Sequence, residues 1–240
     1  SEITLNTVPV APFRALVQFE FDTFEAMAQA VPRIVDSGAD ACELMDRRLA
    51  QMARAAFAQY RDVLPEAALA TLLVEHSGDS EKKVRDKIAD TIKAVGGLSS
   101  RATQYFDAAA QAKLWKSRKD AVPLLNRDKS DAHPLAFIED VAVDPRRLDR
   151  YIAGLEVIAE KYKFPMAYYG HAGDGELHIR PYLDLRKPAD IAAMRNIADE
   201  VFALAWSLGG SISGEHADGL LRAAFIRRQY GDAYYELLKG

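Results

Sequence analysis

Residues 166–182 read MAYYGHAGDGELHIRPY, two apolar runs that flank a glycine-rich turn. Asp174-Gly175 favours a two-residue type I′ turn, because that turn requires positive φ at both central positions. A hairpin closed there brings His171 opposite His178 on one face of a sheet. Facing Cβ atoms lie about 4.5–5.5 Å apart, so the two imidazoles could share one metal ion at about 2.0–2.1 Å from each nitrogen. The stretch predicts both a β-hairpin and a candidate metal site.

A second glycine-rich segment, residues 209–216 (GGSISGEH), supplies Glu215 and His216. A carboxylate oxygen can complete a two-histidine metal site and leave a position open for substrate, so Glu215 is the predicted third ligand beside His171 and His178. Zinc suits these ligands best, and iron and manganese also accept two nitrogens and one oxygen. His216 would point away from Glu215 if the segment is extended, which favours a separate task for it.

Each of these features also has a plainer interpretation. The two histidines could be half-buried and hydrogen-bonded around a simple turn, and Glu215 could be a carboxylate that stabilises a helix start. His216 could be a surface residue beside a loop. On spacing alone, both interpretations stay open.

Two strand–helix–strand units organise the chain around the hairpin. Residues 15–44 and 135–171 follow the same order, which is typical of ferredoxin-like βαβ pieces in an antiparallel sheet with helices on one face. Residues 79–132 form a mainly helical excursion between them. The predicted fold class is therefore α+β, in a single domain over 1–240.

Hydrophobic periodicity and helix-ending residues place the individual elements. One predicted helix contains Leu44 and reaches Tyr60. Further helices are predicted over 104–122 and 191–208, and strands over 69–74, 135–143, 166–171 and 176–182.

The composition limits the classes of function. The chain has 240 residues, of which 49% are hydrophobic, enough for a sizeable core. The net charge is −4, with 31 basic and 35 acidic residues well mixed, so no basic surface for nucleic acid is indicated. Cys42 is the only cysteine, so this chain can form neither an internal disulfide nor an iron–sulfur cluster on its own cysteines.

The two glycine-rich segments, taken with residues 43–48 (ELMDRR), 114–119 (LWKSRK) and 136–143 (AFIEDVAV), resemble the C-terminal domain of the FAD-linked oxidases. That family includes D-lactate dehydrogenase, the glycolate oxidase FAD subunit and D-2-hydroxyglutarate dehydrogenase. The chain most resembles long bacterial dehydrogenases that fuse the flavin module to a downstream iron–sulfur region. Glu176 stands where the family often has Asn, and Ala217 where it often has Gly, so the substrate preference and the local backbone are in question.

The resemblance implies oxidation of a D-2-hydroxy acid, with hydride passing from the substrate carbon to the flavin. It implies that His216 is the general base that takes the hydroxyl proton, and that the planar guanidinium of Arg118 holds the substrate carboxylate. Lys119 and Arg180 are less specific candidates for anion contacts. From the sequence alone, an exposed basic helix face would explain Arg118 and Lys119, and a salt bridge on the sheet would explain Arg180.

A flavin needs a cradle for its pyrophosphate, usually a glycine-rich turn at a helix start. Gly96-Gly97 and Gly209-Gly210 are predicted at helix ends. We therefore expect a preceding domain of a longer chain to bind FAD, and this chain to be the substrate-binding cap. The start of the chain, residues 1–5, reads as the middle of a strand, which also predicts an excised piece. An iron–sulfur region or another electron acceptor is the expected partner, and the expected location is cytoplasmic, with peripheral attachment at the inner membrane as an option.

Two other functions stay open. One is a stand-alone metal-dependent hydrolase, in which metal-bound water is the nucleophile and His216 or Glu176 is the base. The other is a non-catalytic binding or assembly domain with a structural metal. A closed shell of four ligands would favour the structural role, and an open position would favour catalysis.

Overall fold

An antiparallel sheet of eight strands forms the centre of the chain. The computed structural model describes residues 2–7, 9–127 and 131–239. The strands are β1 (Phe13–Phe21), β2 (Ala41–Asp46), β3 (Ala70–Gly78), β4 (Arg101–Tyr105), β5 (His133–Pro134), β6 (Val141–Ala142), β7 (Met166–Gly170) and β8 (Glu176–Leu183). The helices are α1 (Phe24–Asp36), α2 (Arg47–Ala56), α3 (Glu81–Val95), α4 (Ala108–Leu125), α5 (Leu148–Tyr162), α6 (Pro188–Ser207), α7 (Gly219–Arg222) and α8 (Ile226–Lys239). None of these helices combines the length and the apolar character needed to cross a membrane.

The first four strands form a ferredoxin-like unit. β1 and β2 both pair antiparallel with β3, which lies between them, and β4 pairs with the other side of β1. The order across the sheet is β4–β1–β3–β2, with α1 connecting β1 to β2 and α3 connecting β3 to β4. This is the split βαβ arrangement that the sequence predicts.

The same arrangement recurs in the second half of the chain. β8 lies between β6 and β7, and α5 connects β6 to β7. After α6 the chain returns to the sheet at Ser211, which bridges Ala142 of β6 in the position that β4 has beside β1. β2 pairs with β7 and joins the two halves. Glu215 and His216 thus follow directly after the fourth strand position of the second unit.

Helices cover both faces of the sheet, whereas the sequence predicted helices on one face. Val17 and Phe19 of β1 pack into the core that contains α1, α3 and α5, while Leu16 packs on the opposite face against Leu114 of α4. The alternation of apolar and polar residues in β1 suggests one solvated face. Gln18 is nevertheless buried there, where its side-chain oxygen accepts a hydrogen bond from Tyr105.

The α+β class and the mainly helical character of residues 79–132 are confirmed. β4 interrupts that excursion, so Gln104 lies in a strand and α4 begins only at Ala108. Leu44 fits the helical spacing of the residues after it but lies in β2, because that segment pairs with β3 and β7.

Residues 135–143 do not form the continuous strand that was predicted. Only Val141 and Ala142 pair with β8. Asp140 has a φ of 72°, outside the extended region, so β6 begins only at Val141. The same conformation directs the Asp140 carboxylate toward the segment that carries Glu215 and His216.

Candidate active site and metal centre

The hairpin of β7 and β8 carries His171 and His178, but its register differs by two residues from the predicted one. Tyr169, and not His171, faces His178 in the ladder. The turn is longer than two residues, because a 3-10 turn over Ala172–Asp174 precedes Gly175 in the left-handed region. A shift of two residues leaves each side chain on its own face. His171 and His178 therefore still share a face, with ring centres 6.1 Å apart.

Gly175 fixes the position of this turn. Its φ is 73°, and a Cβ atom there would lie 1.8 Å from the carbonyl oxygen of Val143. The backbone N–H of Val143 also donates a hydrogen bond to the Gly175 carbonyl. The sequence correctly indicated a glycine turn, while a contact from another part of the chain determines its length.

His171, His178 and Glu215 converge on one point. The Nε2 atoms of both histidines lie 3.5 Å from Glu215 Oε1. In a tetrahedral site with bonds of about 2.0–2.1 Å, neighbouring ligand atoms are roughly 3.3–3.4 Å apart, so this spacing fits a zinc-sized ion. Glu176 is also close, and ligand atoms of the four residues all lie within 4.8 Å of one another. The fold thus brings the three predicted ligands together.

The surroundings act differently on the two histidines. Burial lowers the pKa of His178 to about 3, and the neighbouring imidazole of His216 and guanidinium of Arg118 act in the same direction. Burial also lowers the pKa of His171, but the hydrogen bond to Glu43 and the charge of that carboxylate outweigh burial and raise it above the usual value. His178 is therefore neutral near pH 7, the form of imidazole that binds a metal.

Each histidine has a carboxylate beside its Nδ1 atom. Glu43 Oε1 lies 2.5 Å from His171 Nδ1, and Glu176 Oε1 lies 3.1 Å from His178 Nδ1. Both glutamates are buried. Burial raises the pKa of Glu176 to about 7, although the hydrogen bond that it accepts from the backbone N–H of His171 acts to lower it. The sequence indicated no role for Glu43, and for Glu176 only that of a base in the alternative of a metal-dependent hydrolase. The available signal for Glu43 was a charged residue inside the apolar strand β2.

Asp140 holds the segment that carries Glu215 and His216. Its carboxylate accepts hydrogen bonds from the backbone N–H groups of Glu215 (2.7 Å) and His216 (3.1 Å) and from the Ser213 hydroxyl (2.8 Å). Burial favours a higher pKa for Asp140, but these hydrogen bonds and the charge of Arg222 lower it below the usual value. Sequence reasoning missed this residue, whose one signal was its place in the quoted segment 136–143.

His216 faces the same cluster as Glu215, whereas an extended segment would have separated them. The chain bends over residues 214–216 and continues into Ala217, which has a φ of 60°. His216 Nε2 lies 3.1 Å from Glu215 Oε1, and its ring stacks on that of His178 with centres 5.0 Å apart. The His216 side chain is 47% exposed, against 37% for His171 and 6% for His178, so His216 is the most exposed imidazole of the three.

Arg118 and Arg180 flank Tyr169 on this face, with guanidinium carbons 5.1 and 5.9 Å from the ring centre. Each arginine is paired with a glutamate: Arg118 Nη2 lies 3.3 Å from Glu43 Oε2, and Arg180 Nη2 lies 2.6 Å from Glu139 Oε2. The Nε atoms of both arginines are buried and make no hydrogen bond with any residue that the structure describes. Each arginine therefore keeps an unused donor.

Lys119 and the other two histidines make no contact with this cluster among those that the structure describes. Lys119, the third predicted anion contact, is exposed on α4 beside the buried Arg118. His76 is buried and hydrogen-bonded to Thr91, and His133 is exposed.

The family described as FAD linked oxidases, C-terminal domain, matches residues 11–240. The D-2-hydroxyglutarate dehydrogenase of Pseudomonas putida is 30% identical over 100% of this chain and 25% of its own length. Glycolate oxidase subunit GlcD of Escherichia coli K12 is 28% identical over 91% of this chain and 43% of its own. The mitochondrial D-lactate dehydrogenase (cytochrome) 1 of Saccharomyces cerevisiae is 27% identical over 100% of this chain and 42% of its own. The chain spans about a quarter of the first curated relatives that it matches.

Two solved structures share the fold. p-Cresol methylhydroxylase with substrate bound superimposes with a TM-score of 0.65 at 13% identity, over 95% of this chain and 50% of that one. The 4-ethylphenol oxidase from Gulosibacter chungangensis, in an isoeugenol complex, gives a TM-score of 0.62 at 10% identity, over 97% of this chain and 52% of that one. At these identities the likeness concerns the fold alone.

Proposed function

This chain belongs to the FAD-linked oxidase C-terminal domain family, and we propose that it is the substrate-binding cap of a flavin-dependent dehydrogenase that oxidises a D-2-hydroxy acid. The relatives described above are named for D-2-hydroxyglutarate, glycolate and D-lactate. We take the substrate from the same class of small hydroxy acids. The proposal concerns a longer protein, in which residues 1–240 form one domain.

One observation carries the proposal: two imidazoles, a carboxylate, a further accessible imidazole and a buried guanidinium lie in one cluster. His171, His178 and Glu215 form the metal-type set, with His216 3.1 Å from Glu215. Arg118 joins the cluster through Glu43. Oxidation of a 2-hydroxy acid requires three kinds of group. A metal ion polarises the hydroxyl, a base removes its proton, and a cation holds the carboxylate.

His171, His178 and Glu215 would hold the divalent ion. The 3.5 Å spacing of their ligand atoms and the neutral state of His178 suit zinc, and iron and manganese also accept such ligands. When bound, the ion supplies Lewis acidity to the substrate hydroxyl. The Glu215 side chain is 45% exposed, so a substrate can approach this side of the cluster.

His216 is the group that we assign to the hydroxyl proton. Its ring is half-exposed and lies next to Glu215, within reach of a substrate at the metal ligands. Its Nδ1 atom lies 3.6 Å from Glu139 Oε1. The Glu139 carboxylate would stabilise the imidazolium that forms when His216 accepts a proton at Nε2.

Arg118 is the group that we assign to the substrate carboxylate, because it is buried, planar and retains an unused Nε donor. Arg180 lies on the other side of Tyr169 and is the second anion contact in this proposal. Lys119 is exposed, so it would contribute positive charge near the entrance rather than a fixed contact.

FAD, the cofactor of this family, would be bound mainly by another domain of the longer protein. Gly96 caps the C-terminal end of α3, and Gly209 follows the C-terminal end of α6. Neither glycine pair therefore presents a helix start to a pyrophosphate. When bound, the flavin accepts the hydride. An iron–sulfur region or another acceptor would then receive the electrons, and a cytoplasmic location, with peripheral attachment at the inner membrane as an option, remains our prediction.

The names of the relatives favour this function over a stand-alone metal-dependent hydrolase. The exposure of Glu215 and His216 favours a site that a substrate enters over a purely structural metal. Anaerobic reduction of the flavin in the full-length protein tests the proposal directly. We expect D-lactate, D-2-hydroxyglutarate or glycolate, which is achiral, to bleach the flavin absorption, and L-lactate and L-2-hydroxyglutarate to leave it unchanged. A flavin-loaded protein that no member of the class reduces would contradict the proposal.

A further inference from the structure

The two histidines of the proposed metal site share a second feature, a buried glutamate on the side of the ring that faces away from Glu215. Glu43 Oε1 lies at His171 Nδ1, and Glu176 Oε1 lies at His178 Nδ1. The two Nε2 atoms are both 3.5 Å from Glu215 Oε1. Each imidazole therefore has the Glu215 carboxylate beside its Nε2 atom and a buried carboxylate, of Glu43 or Glu176, beside its Nδ1 atom.

A neutral imidazole carries one hydrogen, on Nδ1 or on Nε2, and only the bare nitrogen can bind a metal. An acceptor beside Nδ1 keeps the hydrogen there and leaves Nε2 bare. The contact of Glu43 with His171 is a short hydrogen bond of 2.5 Å. At His178 the ring and Glu176 are 3.1 Å apart without full alignment, and neither atom has another hydrogen-bond partner among the described residues. At 3.1 Å the two atoms are within hydrogen-bonding distance, so the carboxylate is placed to accept a hydrogen carried on Nδ1.

Both oxygens of Glu176 contact the two histidines, and one of them lies within 4.8 Å of ligand atoms of His171, His178 and Glu215. Oε1 faces His178 Nδ1, and Oε2 accepts the backbone N–H of His171 at 3.2 Å. Two glycines make room for the side chain: a Cβ at Gly170 would lie 2.9 Å from Glu176 Oε2, and one at Gly214 would lie 2.9 Å from Glu176 Cγ. The side chain thus occupies a closed niche, whereas that of Glu215 is 45% exposed.

Glu43 is fixed in a different way. It lies on β2 in the first half of the chain, and Arg118 Nη2 lies 3.3 Å from its second oxygen. Its two oxygens thus serve His171 and Arg118 separately. A charged side chain buried in the middle of a sheet is costly unless it is paired in this manner.

We propose that Glu43 and Glu176 are positioning residues, each of which accepts the Nδ1 hydrogen of one metal-binding histidine and orients its Nε2 atom toward Glu215. This inference rests on the proposed metal site and extends it to two residues outside the ligand set. Loss of such an outer partner typically weakens metal binding about 10- to 100-fold.

The test is zinc affinity, measured on the full-length protein by competition with a chromophoric chelator. We expect Glu43→Gln and Glu176→Gln each to weaken zinc binding about 10- to 100-fold. Glu75→Gln is the matched control, because Glu75 is a strand glutamate that pairs with Arg14 and lies outside the cluster. Thermal unfolding of the zinc-free proteins verifies folding. Glu176→Leu, which removes the acceptor that glutamine still offers, serves as a second variant at that position and should weaken zinc binding at least as much as Glu176→Gln.

Zinc X-ray absorption separates positioning from ligation. At zinc saturation we expect the same number of nitrogen and oxygen ligands in Glu176→Gln as in the wild type. A missing oxygen ligand would make Glu176 part of the ligand set and overturn the inference. If both glutamine variants bind zinc like the wild type while His178→Ala does not, the inference is wrong and the metal site stands. If the wild type itself binds no zinc, the metal site and the inference are both wrong.

Discussion

Arg118 and His171 are joined through the two oxygens of a single carboxylate. Glu43 Oε2 lies 3.3 Å from Arg118 Nη2, and Glu43 Oε1 lies 2.5 Å from His171 Nδ1. The residue proposed to hold the substrate and a residue proposed to hold the metal therefore depend on the same buried side chain. Changes at either of them should be measured for effects on both substrate and metal binding.

Replacing Arg118 by lysine should weaken substrate binding and leave the chemical step much less affected. Lysine keeps the positive charge but loses the planar fork that matches a carboxylate. Loss of a charge-assisted contact costs roughly 1.5–3 kcal/mol, or about 10- to 150-fold in affinity. Substrate titration of flavin reduction in the full-length protein gives this value. Arg85→Lys, an exposed arginine on α3 paired with Glu81, is the matched control and should bind substrate normally.

Replacing His216 by asparagine should slow flavin reduction at saturating substrate. The variant removes the imidazole that we assign to the hydroxyl proton, and loss of a general base typically costs about 10²–10⁴-fold. The pH profile of the reduction rate should also lose its lower limb. Stopped-flow absorption of the bound flavin measures both effects. If the flavin of His216→Asn is reduced at the wild-type rate, His216 is not the base and has a structural or substrate-orienting role.

The purified protein should contain one divalent ion per chain when chelators are avoided. The basis is the convergence of His171, His178 and Glu215. Elemental analysis should find the ion in the wild type and in His133→Ala, which changes an exposed histidine outside the cluster. It should find little in His178→Ala. Equal metal content in all three proteins would rule out the proposed ligand set.

His76 should make the stability of the fold depend on pH. It is fully buried, its Nε2 lies 2.8 Å from the Thr91 hydroxyl, and burial, assisted by the charge of Lys87, lowers its pKa. Between the folded pKa and the unfolded value of about 6.5, the unfolded chain binds the proton more readily. The contribution of His76 to the free energy of unfolding is therefore present above pH 6.5 and is lost as the pH falls toward the folded pKa.

The measurement is urea unfolding of the wild type and of His76→Gln at several pH values. Glutamine is neutral throughout and can still hydrogen-bond to Thr91. The free energy of unfolding of the wild type should rise relative to that of the variant between pH 5 and 7, with a slope of at most about 1.4 kcal/mol per pH unit. A constant difference between the two proteins across this range would show that His76 keeps its unfolded-state pKa in the fold.

The parts of the site that the sequence revealed are those encoded locally. His171 and His178 flank one turn, and Glu215 and His216 occupy one short segment, so spacing and turn residues sufficed to select them. The register error of the hairpin came from Gly175, whose neighbour Val143 lies in another part of the chain. The residues of the turn alone do not predict that contact.

The parts that the sequence did not reveal depend on contacts between distant segments. Glu43 meets His171 across 128 residues, because β2 pairs with β7. In the sequence, Asp140 lies within an apolar segment that predicts a strand. In the structure its φ is positive, and its carboxylate faces residues 213–216. In both cases a polar side chain interrupts an apolar segment, and its burial is explained only by a contact with a segment that is distant in the sequence.

The pairing of β2 with β7 extends over only two residue pairs, yet it joins the halves that carry different parts of the chemistry. His171, His178, Glu215 and His216 come from the second ferredoxin-like unit, while Glu43 and Arg118 come from the first. Neither unit alone carries all of these side chains. A gene fragment that encodes one unit could specify a sheet with helices, but it would lack either the proposed metal ligands or the proposed contact for the substrate carboxylate. The proposed site therefore requires both units in one chain.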